Sequence, residues 1–422
     1  MGIVLHRVQL LWAVFLIALL FLSGCAVKEL PPEVAVEKPP PEAAVKEPPP
    51  VAKHSALERL AKNECPQFFD SSSMDSLRHS LRQSLLYFNR VPDSRSFQFG
   101  PDYYDARHMR RSIKALLDFI ERDPGKEALA LFVRDRYVVY GSPGNRGEGV
   151  LFTGYYEPSL DASLTRDNEY RYPLFSDPED LLTINLGAFS DRYKDLPKLS
   201  ARVNKKNQVV PYFTRKEINA IPDFGKKAKP LAWVRDRTDR FFLEIQGSGR
   251  LFLKQGGEMN VHYSTKNGHP YRAIGGYLIG KGEISREEMS MQAIRAWLKK
   301  NPSRQDEVFN YNPSFVFFRQ EKGGPFGNIS VEVTPLRSVA TDSKLFPKGA
   351  LCFIETEVPS SERVDKPLSF KPFSGFVMNQ DTGGAIKGVS RCDLFHGNGK
   401  DAEFAAGHMK QRGRLYFLVL KP

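Results

Sequence analysis

The chain has 422 residues, 41% of them apolar and 12% aromatic, with 61 Lys and Arg against 49 Asp and Glu and only four cysteines. That length accommodates two or three domains with substantial cores, and the apolar content is that of a globular protein, which excludes a wholly disordered chain. The formal net charge of +12 points to an anionic partner: nucleic acid, acidic lipid or an acidic polymer.

His6 and Arg7 precede an apolar run over residues 8–22, interrupted only by Gln9. The run is short for a membrane span and reads as a signal-peptide core. Leu22, Ser23, Gly24 and Cys25 follow. This ending resembles a bacterial lipobox, in which the cysteine is acylated and becomes the new N-terminus. Residues 1–25 are therefore expected to be a lipoprotein signal peptide, with Cys25 as the lipidated residue. Several acyl chains on one cysteine satisfy the two-signal requirement for stable anchoring. Ala26 after the cysteine resembles the outer-membrane sorting signal, so the expected location is the periplasmic face of a Gram-negative outer membrane. Three thiols remain, at 65, 352 and 392. They cannot all pair within one chain; Cys352 with Cys392 is one arrangement and two separate buried thiols the other.

Residues 26–53 carry prolines in pairs and triples between small and charged residues, the composition of a semi-rigid spacer. Leu77, Leu81, Leu85 and Phe88 then recur at helical spacing, predicting a helix over 74–89. Met109, Ile113, Leu116, Leu117 and Ile120 predict a second over 105–122, stopped by Pro124 and Gly125. Residues 136–142 and 150–156 read as strands around a glycine-rich turn. Further strands are expected at 209–214, 231–234 and 240–246. The last of these would put Gln246, Gly247, Ser248 and Gly249 in a turn after a strand, offering amides and hydroxyls to a polar ligand. Residues 267–282 read as a glycine-rich loop. Ser285 and Glu288 form a capping box for a helix ending near Lys300. Strands at 310–318, 331–333, 350–356 and 415–420 complete the pattern.

The eight histidines make no HxxxH or HExxH, so no metal is expected, and no cofactor either, since phosphate-binding glycine motifs are absent. No GxSxG elbow occurs. Nucleic acid is set aside because a lipidated periplasmic chain meets little of it. What remains is concentrated in residues 380–397. Asp381 and Asp393 stand there with Gly383, Gly384, Gly388 and Lys387 between them. Glycines at this density allow close backbone approach, so the two carboxylates can be held near each other. Paired carboxylates with aromatics are the usual equipment of glycan chemistry.

Residues 151–158 (LFTGYYEP), 242–251 (FLEIQGSGRL), 267–275 (NGHPYRAIG), 334–353 (TPLRSVATDSKLFPKGALCF) and 381–393 (DTGGAIKGVSRCD) together resemble the membrane-bound lytic murein transglycosylase A family, and the last two stretches also resemble the three-aspartate domain. The resemblance covers roughly residues 60–422. It implies a mainly β fold with flanking helices: a double-psi β-barrel formed by 54–157 and 313–422, and a smaller β-barrel of residues 158–312 inserted in it, with a groove between them. It implies cleavage of the β-1,4 bond between N-acetylmuramic acid and N-acetylglucosamine in peptidoglycan, leaving 1,6-anhydromuramoyl ends. The catalytic acid falls on Asp393 and a supporting carboxylate on Asp381, with Asp342 as a structural acid. Substrate contacts fall on Thr153, Tyr155, Tyr156, Gln246, Gly247, Ser248 and Lys387. Related folds such as expansins carry His-Phe-Asp at the catalytic aspartate, whereas this chain has Arg391, Cys392 and Asp393. The implied partners are glycan strands, outer-membrane lipid through Cys25, and murein-synthesis proteins, for which the proline-rich spacer is the only hint. A non-catalytic, expansin-like wall-binding lipoprotein is the competing reading, and binding alone would not need carboxylates at both 381 and 393.

Overall fold

A computed structural model describes residues 56–360 and 368–422, all within one compact unit. The expected signal peptide, Cys25 and the spacer lie outside the described residues. The first predicted helix spans Met74–Arg90 and buries Leu77, Leu81 and Phe88. Ser73 caps it by accepting from the Asp75 N–H at 3.2 Å, an interaction worth about 1 kcal/mol. The second spans Ala106–Ile120, with the Asp105 carboxylate accepting from the His108 N–H at 2.7 Å. A third helix, Lys126–Arg136, was not expected; it buries Leu129, Ala130 and Val133 and stacks Phe132 on Phe119.

Six strands close into a ring: Lys410–Leu420, Leu351–Pro359, Phe370–Asp381, Ser338–Ala340, Arg391–Asn398 and Val150–Glu157, the last pairing back onto Lys410–Leu420. Closure leaves no free ladder edge in the ring. Two of its pairings are parallel, Ser338–Ala340 with Phe370–Asp381 and Arg391–Asn398 with Val150–Glu157. This is the double-psi barrel that the resemblance implies. Tyr137–Gly141 extends the sheet along Lys410–Leu420 instead of pairing with Val150–Glu157 across the glycine-rich turn. One continuous apolar core joins the barrel to the three helices. Beside it runs a buried polar cluster. Arg337 donates to the Asp70 carboxylate at 2.6 Å, to the carbonyls of Phe376 and Ser73, and to the Ser76 hydroxyl.

The second sheet has six strands in the order Val316–Glu321, Glu258–Lys266, Ser248–Leu253, Ser159–Ser163, Pro230–Val234 and Tyr172–Phe175. Its edge strands approach each other without pairing, so it curls into a smaller barrel with an unbonded seam. Several expectations fail here. Residues 240–246 are not a strand but the end of a helix, Arg237–Gln246, capped by the Asp236 carboxylate on the N–H groups of Thr238 and Asp239. A short apolar run reads equally as strand or helix, and the cap decides. The 267–282 loop contains a helix, Ile274–Gly280. Ser285 and Glu288 do bond reciprocally, but the helix they were expected to open starts later, at Met291, capped by Ser290. Residues 331–333 make only one isolated bridge, Phe326 with Glu332. Cys352 and Cys392 are separate buried thiols.

Candidate active site

Strand register brings the two aspartates together. Ala340 pairs with Asp381 on one side and with Asp393 on the other, and Asp393 pairs in turn with Thr153. Asp381, Ala340, Asp393 and Thr153 thus form one row across four strands, with the backbones of the two aspartates about 10 Å apart. The glycine-rich loop was expected to bring the carboxylates close, but it arches beside them; the intervening strand sets their spacing. A bulge aims Asp381. Val339 pairs with Asn379 and Ala340 with Asp381, so Gln380 is skipped. Its side chain turns inward, donating to the Ser80 carbonyl and Ser84 hydroxyl and accepting from Ser338 at 2.6 Å.

The carboxyl groups have different surroundings. Asp381 accepts from the N–H groups of Thr382 at 2.8 Å and Asn328 at 2.9 Å through one oxygen. The Asn328 loop approaches closely because residue 327 is glycine; a Cβ there would lie 2.4 Å from the Gln380 carbonyl oxygen. Burial nonetheless pushes Asp381 up to about 6, with the charge of Asp393 adding to the rise and the backbone donors opposing it. Asp393 accepts a hydrogen bond from the Thr153 hydroxyl, which in turn accepts from Arg391 at 3.1 Å. Burial raises the Asp393 carboxyl above its ordinary range, while Thr153 and Arg391 pull it down. Tyr155 is packed beside both carboxylates, and burial holds its hydroxyl far above its ordinary value, so it stays a neutral phenol. Together these features set a pair of carboxyl groups that titrate late at the base of a cleft.

The cleft has a volume of about 580 Å³. Tyr155, Asp381, Lys387 and Asp393 line it on the barrel side, and Gln246, Gly247, Ser248 and Tyr271 face it from the second sheet. Gly247 ends the Arg237–Gln246 helix in the left-handed region, φ +82°, which lets the chain turn directly into the Ser248–Leu253 strand. The Gln246 carboxamide accepts from the Tyr156 N–H at 3.2 Å and so ties the two walls together. Two expected contacts are elsewhere. Thr153 stands behind Asp393 and does not line the cleft, and Tyr156 is buried against Ala402 and Ala406 on the opposite face of its strand. Asp342 accepts from the Gly388 N–H at 3.0 Å and the Lys344 N–H at 3.1 Å, holding the glycine-rich loop. Asn328, His262 and Arg319 also line the cleft and were not anticipated. The glycines at 323, 324 and 327 were the available signal for Asn328. Among the described residues no three His, Cys, Asp or Glu side chains gather as a metal-ligand set.

A family model for the MltA specific insert domain matches residues 151–319, and one for the 3D domain matches residues 337–419. The chain is 32% identical to membrane-bound lytic murein transglycosylase A of Escherichia coli (strain K12) over 65% of this chain and 66% of that one. It is 31% identical to the protein of the same name from Vibrio cholerae serotype O1, over 66% and 67%. The matched region therefore spans about two thirds of these relatives' lengths. A crystal structure of membrane-bound lytic murein transglycosylase from Agrobacterium tumefaciens superposes with a TM-score of 0.70 at 25% identity, covering 86% of this chain and 98% of that one.

Proposed function

The chain belongs to the membrane-bound lytic murein transglycosylase A family, and on that premise we propose that it cleaves the β-1,4 bond between N-acetylmuramic acid and N-acetylglucosamine in peptidoglycan. The observation that carries the proposal is the row of two late-titrating carboxyls at the base of a cleft. Asp393 acts as the single acid and base. Protonated, it gives its proton to the glycosidic oxygen as positive charge develops at C1 of the muramoyl ring. The carboxylate then takes the proton of the C6 hydroxyl of the same sugar, and that oxygen closes onto C1. The bond to the leaving sugar breaks, one ring bond forms, and the proton count is unchanged. The attacking hydroxyl is already tethered, so no water has to be positioned. Asp381 faces the developing positive charge.

Lys266, Arg319 and Lys387 on the cleft walls favour a polymer whose peptide stems carry free carboxylates. Tyr155, Gln246, Ser248 and Tyr271 supply hydrogen bonds and ring faces for sugar. For the anchoring, acylation of Cys25 would tether the chain to the outer membrane with the cleft on the periplasmic side; loss of labelled palmitate on Cys25→Ser tests this. For the activity, mass spectrometry of products from intact sacculi should show 1,6-anhydromuramoyl ends. Reducing ends would make the protein a hydrolase, and intact sacculi that retain bound protein would make it a binding module.

A further inference from the structure

We propose that the second sheet carries a separate binding site for a carboxylate-bearing peptide. A cavity of about 670 Å³ opens there and shares no lining residue with the aspartate cleft. Four cations line it, Arg166, Arg171, Lys226 and Arg240, against one acid, Asp223, which is already paired with Lys226 at 3.4 Å. Among the described residues neither Arg166 nor Arg171 has a carboxylate within ion-pair distance. Their side chains face rings: the Arg166 guanidinium lies 5.8 Å from the Trp233 ring centre and that of Arg171 lies 5.7 Å from Tyr172.

Arg240 is the second, independent observation. It is only 9% exposed, and its Nε has no hydrogen-bond partner. The acid facing it, Glu244, lies 3.7 Å away, an ion pair without a hydrogen bond, and Glu244 directs its 2.6 Å bond to Arg215 instead. Two buried guanidiniums thus share one carboxylate; Arg240 adds only the Asn219 Oδ1 acceptor at 3.1 Å and a ring contact with Phe315, and it lines an open cavity. A buried charge without full compensation is costly unless a ligand completes it. Guanidinium forks match planar carboxylates in two-point hydrogen bonds. Trp233, Phe175 and Phe224 provide an apolar wall for the body of the ligand. A neutral sugar would leave the arginines unused, whereas a short peptide with free carboxylates uses both features. That the peptide is a peptidoglycan stem rests on the function proposed above; the anion site does not.

The test is calorimetric titration of the full chain with the free stem tripeptide L-alanyl-γ-D-glutamyl-meso-diaminopimelate, with the same peptide fully amidated, and with inorganic phosphate. The expected result is saturable binding of the tripeptide, weakened about tenfold or more by amidation and by Arg166→Gln/Arg171→Gln. Both substituted side chains are exposed, and an unchanged thermal midpoint will show that the variant folds. Equal binding of the amidated peptide, or unchanged affinity in the variant, overturns the site. Binding of phosphate without the tripeptide overturns the peptide assignment. Loss of murein cleavage in an assay where the tripeptide still binds would fault the proposed reaction and leave this site standing.

Discussion

The barrel and the sheet beside it present polar groups to one cleft, but they hold those groups differently. In the barrel every strand is paired on both sides, the apolar core is continuous, and the aspartates stand at fixed register positions. In the second sheet the core is divided into separate clusters, one under the Arg237–Gln246 helix and its neighbours, others around Leu251 and around Phe224. The buried ion pairs follow the same division. Arg337 and Asp70 are sealed inside the barrel region, whereas Arg215 and Glu244, almost as buried, stand in the wall of the cleft. A closed sheet fixes the distance between two acids, and a looser wall bearing amides, rings and cations suits recognition of a long ligand.

The sharpest way to break this comparison is to remove one acid from each pair. Asp70→Ala leaves Arg337 charged in a dry interior and should cost about 3–5 kcal/mol. Glu244→Ala removes the shared carboxylate of Arg215, stacked on Phe241 and Phe315, and of Arg240, both buried, and should also cost about 3–5 kcal/mol. A much smaller loss for Glu244→Ala in denaturant titrations would mean that the cleft wall admits water where the barrel does not. Next in size is Gln380→Leu, which strips partners from Ser338 and Ser84 and frees the bulge that aims Asp381. It should cost about 1–3 kcal/mol and lower turnover by roughly a hundredfold, read by unfolding and product release together.

A smaller effect comes from Asp381→Asn. The folded state holds the Asp381 proton up to about pH 6, above the ordinary 3.8. The wild-type contribution is therefore fully favourable below pH 3.8 and is lost as pH rises through 6. The asparagine keeps an oxygen for the Thr382 and Asn328 donors and carries no charge. It should be more stable than wild type by about 1–2 kcal/mol at pH 8, after discounting for partial exposure, and no different below pH 4. A constant difference across that range would contradict the assignment. The smallest effect belongs to Thr153→Val. Removing a donor that lowers the Asp393 value should move the alkaline limb of the pH–rate profile upward.

Helices with a full apolar stripe were legible from spacing alone, as Leu77, Leu81 and Phe88 show. Segments whose pattern is short or polar were not. The final strand begins at Lys410, five residues before the apolar stretch, because Lys410, Gln411, Arg412 and Gly413 pair with Val150–Thr153 whatever their own character. At the site, the two aspartates were legible from their glycine-rich setting and from the family motif. The residue that spaces them, Ala340, was not, since a three-residue strand leaves no periodic signal and its partners are remote in sequence. Alternation along residues 150–157 could have separated Tyr155, toward the cleft, from Tyr156, away from it.

The account depends on Asp393 retaining a proton near neutral pH. The most direct measurement is a carbon-13 NMR titration of the full chain labelled at aspartate carboxyls, with Asp393→Asn used to assign the resonance. The account predicts a carboxyl signal that vanishes in the variant and titrates clearly above the ordinary aspartate value. A resonance that titrates near 3.8, or one that is already ionised throughout the active pH range, would contradict it.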